Sequence, residues 1–217
     1  MSTIVAILFD MDGVLMDSEP LHLRATQLAL GDRAASFTEG DNRAFVGSTD
    51  PEMFRVLRIL FDLDASTAEL VSRKREHLVS LVRAEGRCLP GVPEIPLRLR
   101  ETGYRLGLVS ASARPVIDAI LETVGLAGAF ETIVCGDEVA RGKPAPDVYL
   151  FAAADCGVAP EHCLVVEDTP PGVTGALAAG MTVCGFTAHT PASKLRDAGA
   201  HHLFDDMRAL PELVRRR

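Results

Sequence analysis

Two acidic pairs stand directly after apolar runs in this chain. Asp10-Met-Asp12-Gly13 follows Ile4–Phe9, and Glu167-Asp168 follows Leu164–Val166. In an extended segment residues i and i+2 point the same way, so the Asp10 and Asp12 carboxylates can face one crevice. Gly13 then lets the backbone turn away sharply. Four carboxylates gathered at strand ends repel one another unless a positive charge sits among them. A hard divalent cation with oxygen ligands, Mg2+ above all, meets that need. Singly, the first pair reads as an acidic loop and the second as a helix N-cap; together they point to chemistry. Ser110-Ala111-Ser112 closes another apolar run and leads into a helix. Hydroxyls and backbone amides there suit an anion site, or simply a helix cap. Gly142-Lys143-Pro144-Ala-Pro146 offers a cation near a further helix start.

Such residues converge only if their strand ends do. Ile4–Phe9 is continuously apolar and rich in β-branched residues, as suits a strand buried on both faces of a parallel sheet. Similar runs recur at Leu106–Val109, Thr132–Cys135, Cys163–Val166 and Thr182–Phe186, separated by helical patterns. One such helix carries Val116, Ile117, Ile120, Leu121 and Val124 on a single face, with Pro115 in its first turn. Pro146–Cys156 and Pro171–Ala179 also read as helices. Alternating strands and helices predict an α/β fold, a doubly wound parallel sheet. Residues 18–88 break the rhythm and read as helical throughout, including a capping-box pattern at Ser66-Thr-Ala-Glu69 and a helix over Met53–Phe61. The expected organisation is a core of residues 1–15 and 90–217 interrupted by a helical module at 16–89.

Composition narrows the partners. A chain of 217 residues with 47% hydrophobic and 24% charged residues is neither disordered nor low-complexity. Its formal charge of −8 disfavours nucleic acid and anionic membrane surfaces. Five cysteines without C-x-x-C spacing read as small buried hydrophobes in a reducing compartment. No run approaches the ~20 apolar residues of a membrane span, and no targeting segment is evident, so a cytoplasmic protein is expected. Gly136…Gly142-Lys143 fails as a P-loop by spacing and by Pro144. His201-His202 lacks partners at metal-ligand spacing and reads as packed or solvated imidazoles.

Phe9-Asp-Met-Asp-Gly-Val-Leu15, Ser110, Lys143 in Gly-Lys-Pro-Ala-Pro, and Val166-Glu-Asp168 resemble, in order, the four motifs of the haloacid dehalogenase-like superfamily. The likeness extends over essentially the whole chain. Asp17-Ser-Glu-Pro20 and the helical insert are similar to the β-phosphoglucomutase-like branch, whose insert is a cap. The resemblance implies that Asp10 attacks phosphorus to form an aspartyl-phosphate. Asp12 would protonate the leaving alkoxide and then deprotonate the hydrolytic water. Mg2+ would be held by the Asp10 side chain, the Asp12 backbone carbonyl, Glu167 and Asp168. Ser110, with Ala111 beside it, and Lys143 would bind the transferring phosphoryl oxygens, and His22 the substrate from the cap.

The acid at Asp12 favours phosphoryl transfer over dehalogenation within that family. Asp50 stands where the mutase pattern carries an Arg for a distal phosphate, and Ala113 where it carries a Lys. The implied activity is therefore a phosphatase for a small phosphorylated metabolite, with a sugar phosphate the expected class. A sugar phosphomutase and a non-catalytic binding protein are the alternatives. Ser48, Asp50, Arg73 and Arg75 are candidates to face the leaving group. The oligomeric state is left open, and a monomer is compatible with the sequence. Thr169-Pro-Pro171 is expected to stiffen the loop after Asp168, and Pro93 and Pro96 to shorten the first helix after the cap.

Overall fold

The computed structural model describes residues 3–45 and 49–215. Six strands form one parallel sheet: β1 (Ala6–Phe9), β2 (Arg105–Ser110), β3 (Thr132–Cys135), β4 (Cys163–Glu167), β5 (Thr182–Phe186) and β6 (His202–Phe204), in the order β3-β2-β1-β4-β5-β6. Each apolar run of the sequence is a strand. The edge strand β6 is only half-buried over His202 and Leu203, so it lacks the continuous apolar signature of the others. Beside it, His201 accepts a hydrogen bond at Nδ1 from the Val183 N–H, a structural use of that imidazole.

The chain turns twice across this sheet. It runs outward from β1 to β3 on one side, then returns to β4 and runs outward to β6 on the other. Right-handed crossovers place the two sets of connecting helices on opposite faces. The helices of this unit are α5 (Glu94–Glu101), α6 (Arg114–Thr123), α7 (Asp147–Asp155), α8 (Pro170–Ala178), α9 (Ala192–Asp197) and α10 (Leu210–Arg215). Ala6, Leu8, Val109, Cys163, Val165 and Val183 from the strands pack with Val148, Tyr149 and Ala152 of α7, Val173 and Ala176 of α8, and Leu195 of α9. Period-two alternation continues that face from Leu8 to Asp10 and from Val165 to Glu167. Two carboxylates are thus aimed at the side of the sheet that α7 and α8 cover.

The prolines are accommodated at helix starts. Pro93 precedes α5 and Pro96 falls in its first turn, where a missing N–H costs no helical hydrogen bond, and the helix is eight residues long. Four cysteines are buried and outside any disulfide, as expected. Cys88 departs from that expectation: it is exposed, on the segment that bridges back to Met16.

The chain divides into two compact units, Met1–Asp17 with Arg87–Arg217, and Ser18–Gly86. The second contains α1 (Glu19–Leu30), α2 (Glu39–Ala44), α3 (Asp50–Leu60) and α4 (Thr67–Glu85). Its core is Ala29, Leu30, Phe37, Met53, Phe54, Leu57 and Leu70. The capping box at Ser66 and Glu69 forms as the sequence predicts. Helix α3 begins three residues before the expected Met53, because Thr49 and Glu52 make a second capping box.

Candidate active site

The site lies at the carboxyl ends of the three central strands. Asp10 follows β1 directly and donates its backbone N–H to Val166 O at 2.9 Å. Glu167 is the last residue of β4, and Ser110 the last of β2. The order in which strands are added across the sheet reverses between β1 and β4, and such a switch point opens a crevice beyond the strand ends where ligands bind in open α/β sheets.

Lys143 ties these ends together. Its Nζ lies 2.5 Å from Asp10 Oδ1, 2.6 Å from Glu167 Oε1 and 3.5 Å from Val109 O. The ammonium also lies 5.6 Å from the Tyr149 ring centroid. Burial alone would push it down, but the Asp10 and Glu167 carboxylates hold it well above the ordinary lysine value. Lys143 is therefore a fixed positive charge between two acids.

Asp10, Glu167 and Asp168 are all buried, and each offers a carboxylate oxygen within 4.8 Å of the others. Burial, opposed by Lys143 and reinforced by Glu167 and Asp12, raises the Asp10 carboxyl to about 7. Burial, with Glu167 and Asp10 beside it, likewise pushes Asp168 well up. Asp168 Oδ1 is buried without a hydrogen-bond partner among the described residues. An orphaned carboxylate oxygen inside a cluster of acids is a donor set that fits a hard cation such as Mg2+.

Asp12 is half-buried and its side chain stands outside that cluster. Its Oδ2 accepts a hydrogen bond from Ser112 Oγ at 3.1 Å. Gly13 makes the turn after it at φ +77°, and a Cβ there would stand 2.1 Å from Asp168 Oδ2. Glycine is required at this position both for the backbone angle and for the approach of Asp168. Ser110 is buried, its Oγ accepting from Ser112 N at 3.0 Å, while Ala111 is exposed at the head of the loop.

The Thr-Pro-Pro sequence after Asp168 starts α8. Thr169 Oγ1 accepts from Gly172 N at 3.2 Å as the N-cap, with prolines in the first turn. The same hydroxyl and the Thr169 N–H both donate to Glu167 Oε2, at 2.9 and 2.8 Å. Tyr149 OH donates to Glu167 Oε1 at 3.0 Å. Tyr149 and Thr169 are thus site neighbours that strand-end reasoning does not assign, and Ser112, read there as part of an anion site or cap, is bonded instead to Asp12. The available signal is that each carries a hydroxyl where an apolar or plain loop residue would serve the fold.

Among the cap candidates, His22 is half-buried on α1 of the helical unit. Asp50 begins α3 and pairs with the buried Lys74 of α4. Arg73 is exposed and Arg75 half-buried on the same helix. Ser48 lies outside the described residues.

Three comparisons bear on this geometry. The family model for the haloacid dehalogenase-like hydrolases matches residues 7–186. CbbY of Rhodobacter capsulatus is 34% identical over 190 residues, 82% of this chain and 83% of that protein. The fructose-1-phosphate phosphatase YqaB of Escherichia coli is 31% identical over 178 residues, 81% of this chain and 92% of its own length. Among solved structures, CbbY from Rhodobacter sphaeroides in complex with phosphate aligns with a TM-score of 0.82 at 28% identity, covering 96% of each chain.

Proposed function

The chain belongs to the haloacid dehalogenase-like hydrolases, and from that premise we propose that it is a Mg2+-dependent phosphatase of small phosphorylated metabolites, sugar phosphates first among them. The observation that carries the reading is Lys143 held between Asp10 and Glu167 at the strand ends, beside the orphaned oxygen of Asp168. A site that merely bound an anion would not need so many carboxylates in its floor. The relatives named for phosphatase activity toward a sugar phosphate support the same substrate class.

Asp10 is the nucleophile in this reading. Its carboxylate attacks phosphorus, and the phosphoryl group passes to it as the ester oxygen leaves. Asp12 gives that oxygen a proton, then takes one from the water that cleaves the aspartyl-phosphate. Ser110, the Ala111 backbone amide and Lys143 hold the phosphoryl oxygens, so stabilisation is mainly positional and electrostatic. Asp10, Asp168 and the Asp12 carbonyl would hold Mg2+, with Glu167 completing the acidic set; the cation would neutralise phosphoryl charge and keep Asp10 ionised. Ser112, bonded to Asp12, fixes the acid–base carboxylate when substrate is absent.

The helical unit belongs to the proposal as the substrate-selecting cap, with His22 its contribution. The cytoplasm is the proposed compartment, supported by five cysteines outside any disulfide, one of them exposed. The test is phosphate release from p-nitrophenyl phosphate. Asp10→Asn is expected to fall to the buffer rate, and wild type to do so in excess chelator. Full turnover by Asp10→Asn would remove the nucleophile from the scheme.

A further inference from the structure

Glu167 is completely buried and its carboxylate is held from four directions. Oε1 accepts from Lys143 Nζ and Tyr149 OH, and Oε2 from the backbone N–H and hydroxyl of Thr169. We propose that Tyr149 is a positioning residue for Lys143, acting through Glu167; this rests on Lys143 being a ligand of the transferring phosphoryl group.

Three observations support it. Tyr149 is fully buried on a face of α7 that otherwise presents Val148, Ala152, Ala153 and Cys156 to the sheet. Phenylalanine would pack there without a hydroxyl to satisfy, and a buried hydroxyl is unfavourable unless bonded. The Tyr149 hydroxyl has its acceptor in the carboxylate that also grips Lys143.

The approach is also built into α8. A Cβ at Gly172 would stand 1.8 Å from Glu167 Oε1, and one at Gly175 would stand 3.1 Å from the Tyr149 ring and 3.0 Å from Ala145 O. Glycine is a poorer helix former than alanine. Here Gly172 and Gly175 admit the carboxylate and the ring that fix Lys143.

Finally, the lysine stem is long and flexible, so its partners decide where the ammonium rests. Tyr149 touches that ammonium twice, by its ring at 5.6 Å and through Glu167. Removing the hydroxyl leaves Oε1 with Lys143 alone. The carboxylate can then rotate about its Thr169 contacts and draw the ammonium out of register with Asp10.

The experiment compares wild type, Tyr149→Phe and Lys143→Met as full-length proteins with Mg2+, at a temperature where circular dichroism shows all three folded. Turnover of p-nitrophenyl phosphate and inhibition by orthovanadate, a mimic of the pentacoordinate phosphoryl group, are both measured. Tyr149→Phe is expected to lose about tenfold in kcat/KM, as for one hydrogen bond to a charged group. Its vanadate inhibition constant should rise by the same factor, because a displaced Lys143 binds reaction and mimic equally poorly. An unchanged Tyr149→Phe beside an inactive Lys143→Met would overturn the positioning role alone. So would lost turnover without a matching change in the vanadate constant. Full activity in Lys143→Met would instead overturn the assignment of Lys143 to the phosphoryl group.

Discussion

Three buried carboxylates cluster around one ammonium, Lys143, which pairs with Asp10 and Glu167, so the acids outnumber the cation. That imbalance is why burial and mutual repulsion leave Asp10 at about 7 and Asp168 well above the ordinary carboxylate range. The consequence for stability has a definite sign. Between the ordinary aspartate value of 3.8 and about 7, the folded chain holds a proton on Asp10 that the unfolded chain releases. Unfolding free energy from this group therefore falls as pH rises through that window. In chelator, melting should drop from about pH 4 to about pH 7. Saturating Mg2+ should flatten that slope, since cation binding displaces the proton. Parallel curves with and without Mg2+ would show that the cation does not meet these acids.

At the scale of elements, α8 is the most constrained piece. Pro170, Pro171 and the Thr169 cap fix where it starts, and Gly172 lets its first turn pass over Glu167. Gly172→Ala is expected to cost about 1–3 kcal/mol as an overpacking change. It should also cut turnover at least tenfold by shifting Glu167, seen as a lower denaturant midpoint together with a lower kcat. Wild-type values for both would mean that the helix has room it does not show. Much of this arrangement is legible in the sequence. The strands are continuous apolar runs because both sheet faces are covered, and the acids are found because they terminate two of those runs. Tyr149, Thr169 and the pairing of Ser112 with Asp12 were not assignable in that way. Ser112 meets Asp12 across 100 residues of chain, and Tyr149 meets Glu167 only because α7 packs on one chosen face. Local periodicity carries no record of such pairings. The early start of α3 was legible, since Thr49 and Glu52 have the capping-box spacing, but apolar patterning alone places it at Met53.

For the whole molecule, the charge of −8 and the acidic floor of the proposed site would together discriminate by size. A polyanion would meet net repulsion over the surface, whereas a small phosphate would need only the local field of Lys143 and a bound cation. No helix among the described residues is long and apolar enough to cross a membrane. Mg2+ should act on the sheet unit first. At a hundredfold excess over its dissociation constant it should stabilise by about 2.7 kcal/mol, a melting increase of several degrees. Hydrogen exchange should then slow at the ends of β1 and β4 and stay unchanged along α3 and α4. Equal slowing in both units would contradict a site confined to the sheet. The position of β1 also sets the order in which the chain can fold. This central strand is made before both of its neighbours, since Ala6 pairs with Arg105 on one side and Cys163 on the other. The helical unit, whose partners lie within Ser18–Gly86, can form while the ribosome is still working. The strand carrying Asp10 must wait, apolar and unpaired, until most of the chain has emerged. At the usual ~5–20 residues per second that is a delay of many seconds, during which an apolar segment next to the acidic cluster stays exposed to wrong partners.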